Sequence, residues 1–160
     1  TTPVKAALTI SCPYSASLCA QALQDNLLVR LAFHKQTMAM FRQHLHCEQF
    51  HRLLEKKGID YRRVLNTKNN LEFDLECGLP DSGLPSIEDY YDYLSSAGRL
   101  NKIKVPTLAI NSLDDFILPT KRCVPVAEIQ ETEHIVQLIA NGGGHIEYYH
   151  GLKCEFVSLS

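Results

Sequence analysis

The sequence predicts an α/β protein in which about three parallel strands form a sheet with flanking helices. Three apolar runs of strand length support this prediction, at residues 4–11, 105–111 and 135–140. Helical patterns separate these runs, and the alternation of strand and helix is typical of parallel sheets. Because a chain of this length can bury one sizeable core, residues 1–160 are assigned to a single domain.

Helical periodicity fills most of the interval between the first and second runs. Apolar side chains recur at steps of three and four residues from about Leu18 to Leu54, which predicts two or three helices. Residues 87–94 predict a further helix, and residues 119–132 predict a short, weak one before the third strand. Glycines and prolines predict loops in the intervening irregular segment, at Gly78, Pro80, Gly83 and Pro85.

Composition and charge argue against several classes of partner. A net charge of −2 gives no reason to expect nucleic acid or an anionic membrane surface. No apolar run approaches the ~18 residues of a membrane span. The chain has no signal peptide and no initiator methionine, which indicates processing, trimming or a fragment. Reduced, buried thiols are expected for the six cysteines, which are Cys12, Cys19, Cys47, Cys77, Cys123 and Cys154.

A carboxylate follows directly after the second predicted strand. Asp115 begins an Asp-x-Ile-x-Pro run at the carboxyl edge of the sheet, where open α/β sheets hold their sites. Asn111 and Ser112 fill a short turn, so Asp115 occupies the position of a catalytic acid and Asp114 is the alternative. The competing structural interpretation is a pair of turn-forming aspartates, since aspartate favours turns.

A histidine follows the third predicted strand in a glycine turn, Gly142-Gly143-Gly144-His145. Glycine allows positive φ angles, which bring the imidazole close to neighbouring loops. A histidine about 30 residues after the acid suits a general base, and the pair forms two thirds of a hydrolase triad. The competing interpretation is a surface-loop histidine such as His134.

The third member of such a triad, the nucleophile, is missing from the sequence. A serine on a strained strand–helix elbow needs glycine two residues before it and two residues after it. No serine in this chain follows a glycine by two positions, Ser96 has only the downstream Gly98, and a cysteine elbow is absent too. An N-terminal threonine nucleophile at Thr1 is chemically conceivable, but no neighbouring residue supports it.

Two other groups of side chains have weaker chemical interpretations. His44, Cys47 and His51 share one helix face at spacings of three and four residues, which would suit zinc. They supply only three ligands, so exposed helix side chains are the better interpretation. Residues 56–57 and 62–63 form a basic patch, interpreted as a solvated surface rather than a phosphate or headgroup site.

A set of short motifs resembles the AB hydrolase 4 family of α/β-hydrolases. This branch includes the α/β-hydrolase domain-containing proteins one to three and the plant embryogenesis-associated protein eight. The motifs are Glu72-Phe73-Asp74, Tyr90-Tyr91, Ser95, the run LNKIKVPTLAIN, Asp114-Asp115 and Gly143-Gly144-His145. Residues 4–11 also resemble the strand that comes after that family's nucleophile elbow. The family has proline after the paired aspartates, where this chain has Phe116.

The resemblance covers about residues 3–151 and implies the C-terminal half of such a hydrolase, without the nucleophile elbow or the first five strands. It implies carboxylester hydrolysis, with phospholipase or acylglycerol lipase activity in some members, on an ester or lipid substrate. Asp115 matches the family's acid and His145 its histidine, and no metal or organic cofactor is needed.

The resemblance also implies a location and leaves alternatives open. Family members often carry an N-terminal membrane anchor, for example in the endoplasmic reticulum, whereas this chain alone is expected to be soluble or cytoplasmic. The isolated chain is expected to be inactive, and to self-associate through an open strand edge. The alternatives are a truncated, non-catalytic binding or interaction protein and an acyltransferase with the same triad.

Overall fold

A computed structural model describes residues 3–146, 149–150 and 155–156 of the chain. The chain divides into two compact units, one of Thr1–Ala22 with Ser95–Ser160 and the other of Leu23–Leu94. The first, here called the sheet unit, holds the parallel strands, and the second, the helical unit, is built of helices. The assignment of residues 1–160 to one domain stays a prediction.

Three parallel strands form the sheet, in the order β1 (Ala7–Ile10), β2 (Thr107–Ser112) and β3 (Ile135–Ala140). Ala7 pairs with Thr107 and Thr107 with Ile135, and the register continues along each strand. The predicted α/β class and parallel sheet are confirmed, although β1 is shorter than residues 4–11. Because the strands run in one direction, the loops that follow them meet at one carboxyl edge. A short antiparallel pair, Tyr149–His150 (β4) with Glu155–Phe156 (β5), follows.

Helices fill the interval between β1 and β2, and two short helices connect β2 to β3. The helices predicted between residues 18 and 54 are present as three α-helices and a π-helix, and the helix at 87–94 has its predicted bounds. Within the described residues, none of the helices has the length and apolar character needed to cross a bilayer. In chain order they are α1 (Ala16–Asp25), a π-helix (Val29–Phe33), α2 (His34–Leu45), α3 (Glu48–Lys56), α4 (Tyr61–Leu65), α5 (Asn70–Phe73), a second π-helix (Asp74–Gly78), α6 (Leu79–Ser82), α7 (Ile87–Leu94), a 3₁₀-helix (Leu100–Lys102), α8 (Thr120–Cys123) and α9 (Val126–Gln130).

The prediction of an irregular segment with loops at Gly78 and Pro80 is wrong, because the chain is helical from residue 70 to residue 82. The Asn69 side chain accepts the N–H of Glu72 and starts this stretch as a helix cap. Pro80 lies in the first turn of α6, directly after the second π-helix, so the hydrogen-bond pattern of the helical stretch changes where proline lacks an N–H. Gly83 ends the stretch with a left-handed φ of 70°, which is the usual role of glycine after a helix.

The two faces of the sheet differ in burial. On one face, Ala109 and Ile135 join a core cluster with Ile129 of α9. On the other face, the cross-strand neighbours Leu8, Leu108 and Val136 are 54%, 37% and 67% exposed. Parallel sheets are normally covered on both faces, whereas the strands of this sheet are buried on one face only. Self-association of the isolated chain stays a prediction.

In the helical unit, two motifs of the family resemblance meet. The hydroxyl of Tyr91 donates a hydrogen bond to Oδ2 of Asp74 at 2.9 Å. The aromatic ring of Tyr90 lies so close to Gly78 that a Cβ at that position would overlap it. Burial raises the pKa of the Asp74 carboxyl, and the hydrogen bond from Tyr91 opposes that rise. These motifs therefore serve the packing of the helical unit.

The described cysteines are free thiols, as the sequence predicts, but they are not all buried. Cys19, Cys77 and Cys123 are buried, Cys12 is half-buried, and Cys47 is exposed on the surface of the helical unit. The sixth, Cys154, lies outside the described residues.

Candidate acid–histidine site

Residues 113–119, here called the acid loop, follow β2 and hold Asp115 in a fixed orientation. Oδ1 of Asp115 accepts the backbone N–H groups of Ile117 at 2.9 Å and of Leu118 at 2.8 Å. The hydroxyl of Thr120 donates to the carbonyl oxygen of Ser112 and closes the loop from the other side. The side chain of Asp115 is 1% exposed, so its second oxygen, Oδ2, has a defined direction.

Residues 141–146, here called the histidine loop, follow β3 and bring His145 to that oxygen. Gly143 and Gly144 have positive φ angles of 142° and 58°, which L side chains rarely adopt. Nδ1 of His145 lies 2.9 Å from Oδ2 of Asp115, which is a hydrogen-bond distance. If Nδ1 carries the proton given to the carboxylate, Nε2 keeps a free lone pair for base chemistry.

Asp114, the alternative acid, points to the backbone of the histidine loop and not to the imidazole. Its Oδ1 accepts the N–H of Gly144 at 2.9 Å, and the hydroxyl of Ser112 donates to the same oxygen. These hydrogen bonds, that of Ser112 first, lower the pKa of the Asp114 carboxyl below its usual value. The geometry therefore pairs Asp115 with His145, while the catalytic role of either aspartate stays a prediction.

The carboxyl end of β1 has an unusual backbone conformation that the sequence did not reveal. Ser11 has a φ of 48°, although it is not glycine. It is 4% exposed, and its backbone N–H donates to the carbonyl oxygen of Ile110 at 2.8 Å. Among the described residues, neither its hydroxyl nor Oδ1 of the adjacent Asn111 has a hydrogen-bond partner. Two buried polar atoms thus lie at the sheet edge that carries the site.

The serines weighed as nucleophiles or family motifs have structural roles. Oγ of Ser95 accepts the N–H of Ala16 at 2.9 Å at the start of α1. The backbone N–H of Ser96 donates to the carbonyl oxygen of Tyr14 at 2.9 Å, and Ser96 lies in a loop and not on a strand–helix elbow. Thr1 lies outside the described residues.

The histidine and cysteine face of α2 and α3 does not form a ligand set. Nδ1 of His44 lies 2.9 Å from the carbonyl oxygen of Met40, and the ring of His51 stacks edge-on against Tyr61. Within residues 3–146, no group of three or more histidines, cysteines or acidic residues is placed to hold a metal ion.

The basic patch is paired with acidic side chains of the helical unit itself. Lys57 forms an ion pair with Asp81, and Arg63 forms one with Glu76 at 2.7 Å. Because these pairs neutralise two of its cations, the patch fits the solvated surface that the sequence indicates better than a phosphate site.

Comparisons with known proteins find several curated relatives. The chain is 33% identical to Protein abhd-3.2 of Caenorhabditis elegans over 98 residues, and this match covers 61% of the chain and 26% of the relative. It is 28% identical to Phospholipase ABHD3 of Bos taurus over 151 residues, and this match covers 94% of the chain and 36% of the relative. It is 35% identical to Medium-chain fatty acid ethyl ester synthase/esterase 2 of Saccharomyces cerevisiae over 81 residues, and this match covers 51% of the chain and 18% of the relative.

The chain thus spans only a part of each relative, between about a fifth and just over a third of its length. No family model matches the chain, and no solved structure matches it.

Proposed function

Since this chain belongs to the α/β-hydrolase family and corresponds to a C-terminal part of such an enzyme, we propose that it supplies the acid and the histidine of a serine hydrolase that cleaves carboxylic esters. The 2.9 Å approach of Nδ1 of His145 to Oδ2 of Asp115 carries this proposal. A buried carboxylate paired with a more exposed imidazole, 1% against 27% for the two side chains, is the arrangement that such a base needs.

The proposed reaction uses a serine from a segment that precedes these residues in the complete protein. Nε2 of His145 takes the proton of the serine hydroxyl as the serine oxygen attacks the ester carbonyl. The imidazolium then gives that proton to the leaving alcohol, and an acyl-enzyme remains. Water, deprotonated by the same nitrogen, releases the acid and the free serine. Asp115 fixes the tautomer and stabilises the imidazolium throughout.

The substrate class is proposed from the relatives. Phospholipase ABHD3 is named for a lipid ester, so a lipid ester is the substrate that we propose for the complete protein. A second candidate is acyl transfer to an alcohol, because one relative is named both an ester synthase and an esterase. Product analysis with and without added alcohol separates the two, since transfer yields a new ester and hydrolysis a free acid.

The proposal predicts that the isolated 160-residue chain does not hydrolyse esters. Loss of a nucleophile costs on the order of 10⁴ to 10⁶ in rate, and no glycine-flanked serine is present. The test treats this chain and the complete protein with a fluorophosphonate probe and a short-chain ester. We expect stoichiometric labelling of the complete protein only. A stoichiometric adduct on the isolated chain would show that these residues contain a nucleophile and would contradict the proposed division of the triad.

A further inference from the structure

We propose that Asp114 is a positioning residue that holds the histidine loop in place through its backbone, so that the two adjacent aspartates divide the work between them. Asp115 binds the imidazole, and Asp114 binds the peptide group of Gly144, the residue just before that imidazole. This inference rests on the proposed function, because it assigns a role within the same site.

The clamp consists of three groups, the side chains of Ser112 and Asp114 and the N–H of Gly144, which lie at the end of β2 and in the loops that follow β2 and β3. Oδ1 of Asp114 accepts the N–H of Gly144 at 2.9 Å and also the hydroxyl of Ser112, the last residue of β2. Ser112 is fully buried, so the carboxylate is anchored to the rigid end of the sheet. Between Ser112 and Asp114, the N–H of Leu113 donates to the carbonyl oxygen of Ala140 at 2.9 Å and continues the pairing of β2 with β3. The acid loop and the histidine loop are thus joined from the last strand pair onwards.

The histidine loop needs such a clamp because its consecutive glycines allow the backbone many conformations. Gly143 and Gly144 allow many φ values, and the loop pays the corresponding entropy when it is ordered. A single hydrogen bond from Nδ1 would leave His145 free to swing about Oδ2 of Asp115. A second bond, one residue away in the backbone, fixes the Cα of the histidine as well as its ring. A misplacement of about 1 Å costs up to about 10²-fold in rate.

The chemistry of the two contacts differs, and this difference makes the proposal testable. The N–H of Gly144 is a neutral donor, so Asp114 needs only an acceptor oxygen there, which an asparagine also has. Asp115 must be a carboxylate, because it stabilises the imidazolium and selects the tautomer. Asparagine should therefore replace Asp114 well and Asp115 badly.

The test compares Asp114→Ala, Asp114→Asn and Asp115→Asn in the complete protein, with Glu133→Ala as the control for loss of one negative charge. Glu133 is exposed and precedes β3, at the opposite edge of the sheet. We expect Asp114→Ala to lower kcat about 10- to 100-fold with KM changed less than about threefold. Asp114→Asn should recover kcat to within about threefold of wild type, whereas Asp115→Asn should lose about 10⁴-fold.

Each outcome has a defined meaning. An unchanged kcat for Asp114→Ala would overturn the clamp. So would an Asp114→Asn variant as impaired as Asp114→Ala, with both shifting the acid limb of the kcat/KM profile, since the charge of Asp114 would then be what matters. If Asp115→Asn keeps its activity, the proposed triad fails whatever Asp114 does. Because alanine can also affect folding, thermal melts of all variants accompany the kinetics, and rescue by asparagine decides between unfolding and lost positioning.

Discussion

The acid loop and the histidine loop lie side by side at the carboxyl edge of the sheet, but they are stabilised in different ways. The acid loop is held by its own contacts, since Asp115 accepts two N–H groups within it and Leu118 packs in a buried cluster with Cys19 and Cys123. The histidine loop contains two glycines with positive φ and is bonded to the aspartates of its neighbour. The acid loop is therefore ordered by its own contacts, and the histidine loop is positioned by hydrogen bonds to the acid loop.

The largest expected effect comes from Asp115→Asn, which separates the two functions of this side chain. The amide oxygen can still accept the N–H groups of Ile117 and Leu118, so the acid loop should remain folded. The contact with Nδ1 of His145 loses its charge and its tautomer preference, so kcat of the complete protein should fall about 10⁴-fold. Steady-state kinetics and a thermal melt check this together. A large fall in Tm would show instead that the charge is needed to fold the loop.

Thr120→Val is expected to destabilise the acid loop itself. Valine has the shape of threonine but removes one of the two hydrogen bonds that the buried carbonyl of Ser112 accepts, because only the longer bond from the N–H of Asp115, at 3.4 Å, remains. The loss should cost about 0.5–1.5 kcal/mol. The matched control is Thr132→Val, whose hydroxyl donates to the carbonyl oxygen of Glu128 at the end of α9. Both variants should lower Tm by about 2–4 °C per kcal/mol. Only Thr120→Val should also lower kcat, and equal kinetics for both would mean that the acid loop tolerates the loss.

A smaller effect is expected from Gly144→Ala, which strains the histidine loop without a clash. A Cβ at this position would meet no atom within 4 Å, so the cost is that of a φ of 58° for alanine, about 1 kcal/mol. Gly58→Ala is the control, because its φ is 70° and its surroundings are equally open. Differential scanning calorimetry should give similar losses for both. A few-fold fall in kcat for Gly144→Ala alone would show that activity depends on the conformation of the histidine loop, and no fall would refute that dependence.

Acidification should have the smallest effect, because the carboxyl of Asp114 has a lowered pKa and stays ionised at pH values where an ordinary carboxyl is already protonated. The pKa of Asp114 is lowered in the folded state, so the stabilisation that it gives is complete above the unfolded value, ~3.9, and is lost as the pH falls through the folded value. The side-chain carboxyl carbon resonance of Asp114 should therefore titrate with a midpoint below ~3.9 in NMR spectra. A midpoint at or above pH 4 would contradict the hydrogen bonds that Ser112 and Gly144 donate to this carboxyl.

The sequence predicts those features of the fold and the site whose cause is local or follows from topology. The apolar runs predict β2 and β3 because buried parallel strands need them, and the meeting of Asp115 with His145 follows from adjacent parallel strands. The role of Asp114 could not be predicted, because a bond to a backbone N–H some 30 residues away has no sequence signature. The helical stretch from residue 70 to residue 82 was missed because Pro80 and Gly83 stand at helix positions that suit them, which composition does not show.

The left-handed serine at the end of β1 shows where this chain departs from what selection for stability alone would produce. Glycine at position 11 would take the same φ of 48° without strain and would bury no unpaired hydroxyl. A directed-evolution screen for heat resistance should therefore recover Ser11→Gly early. Natural proteins keep such costs mainly where activity constrains the backbone. A variant that gains heat resistance by a change at Ser11 is thus the first in which the activity should be measured for an accompanying loss.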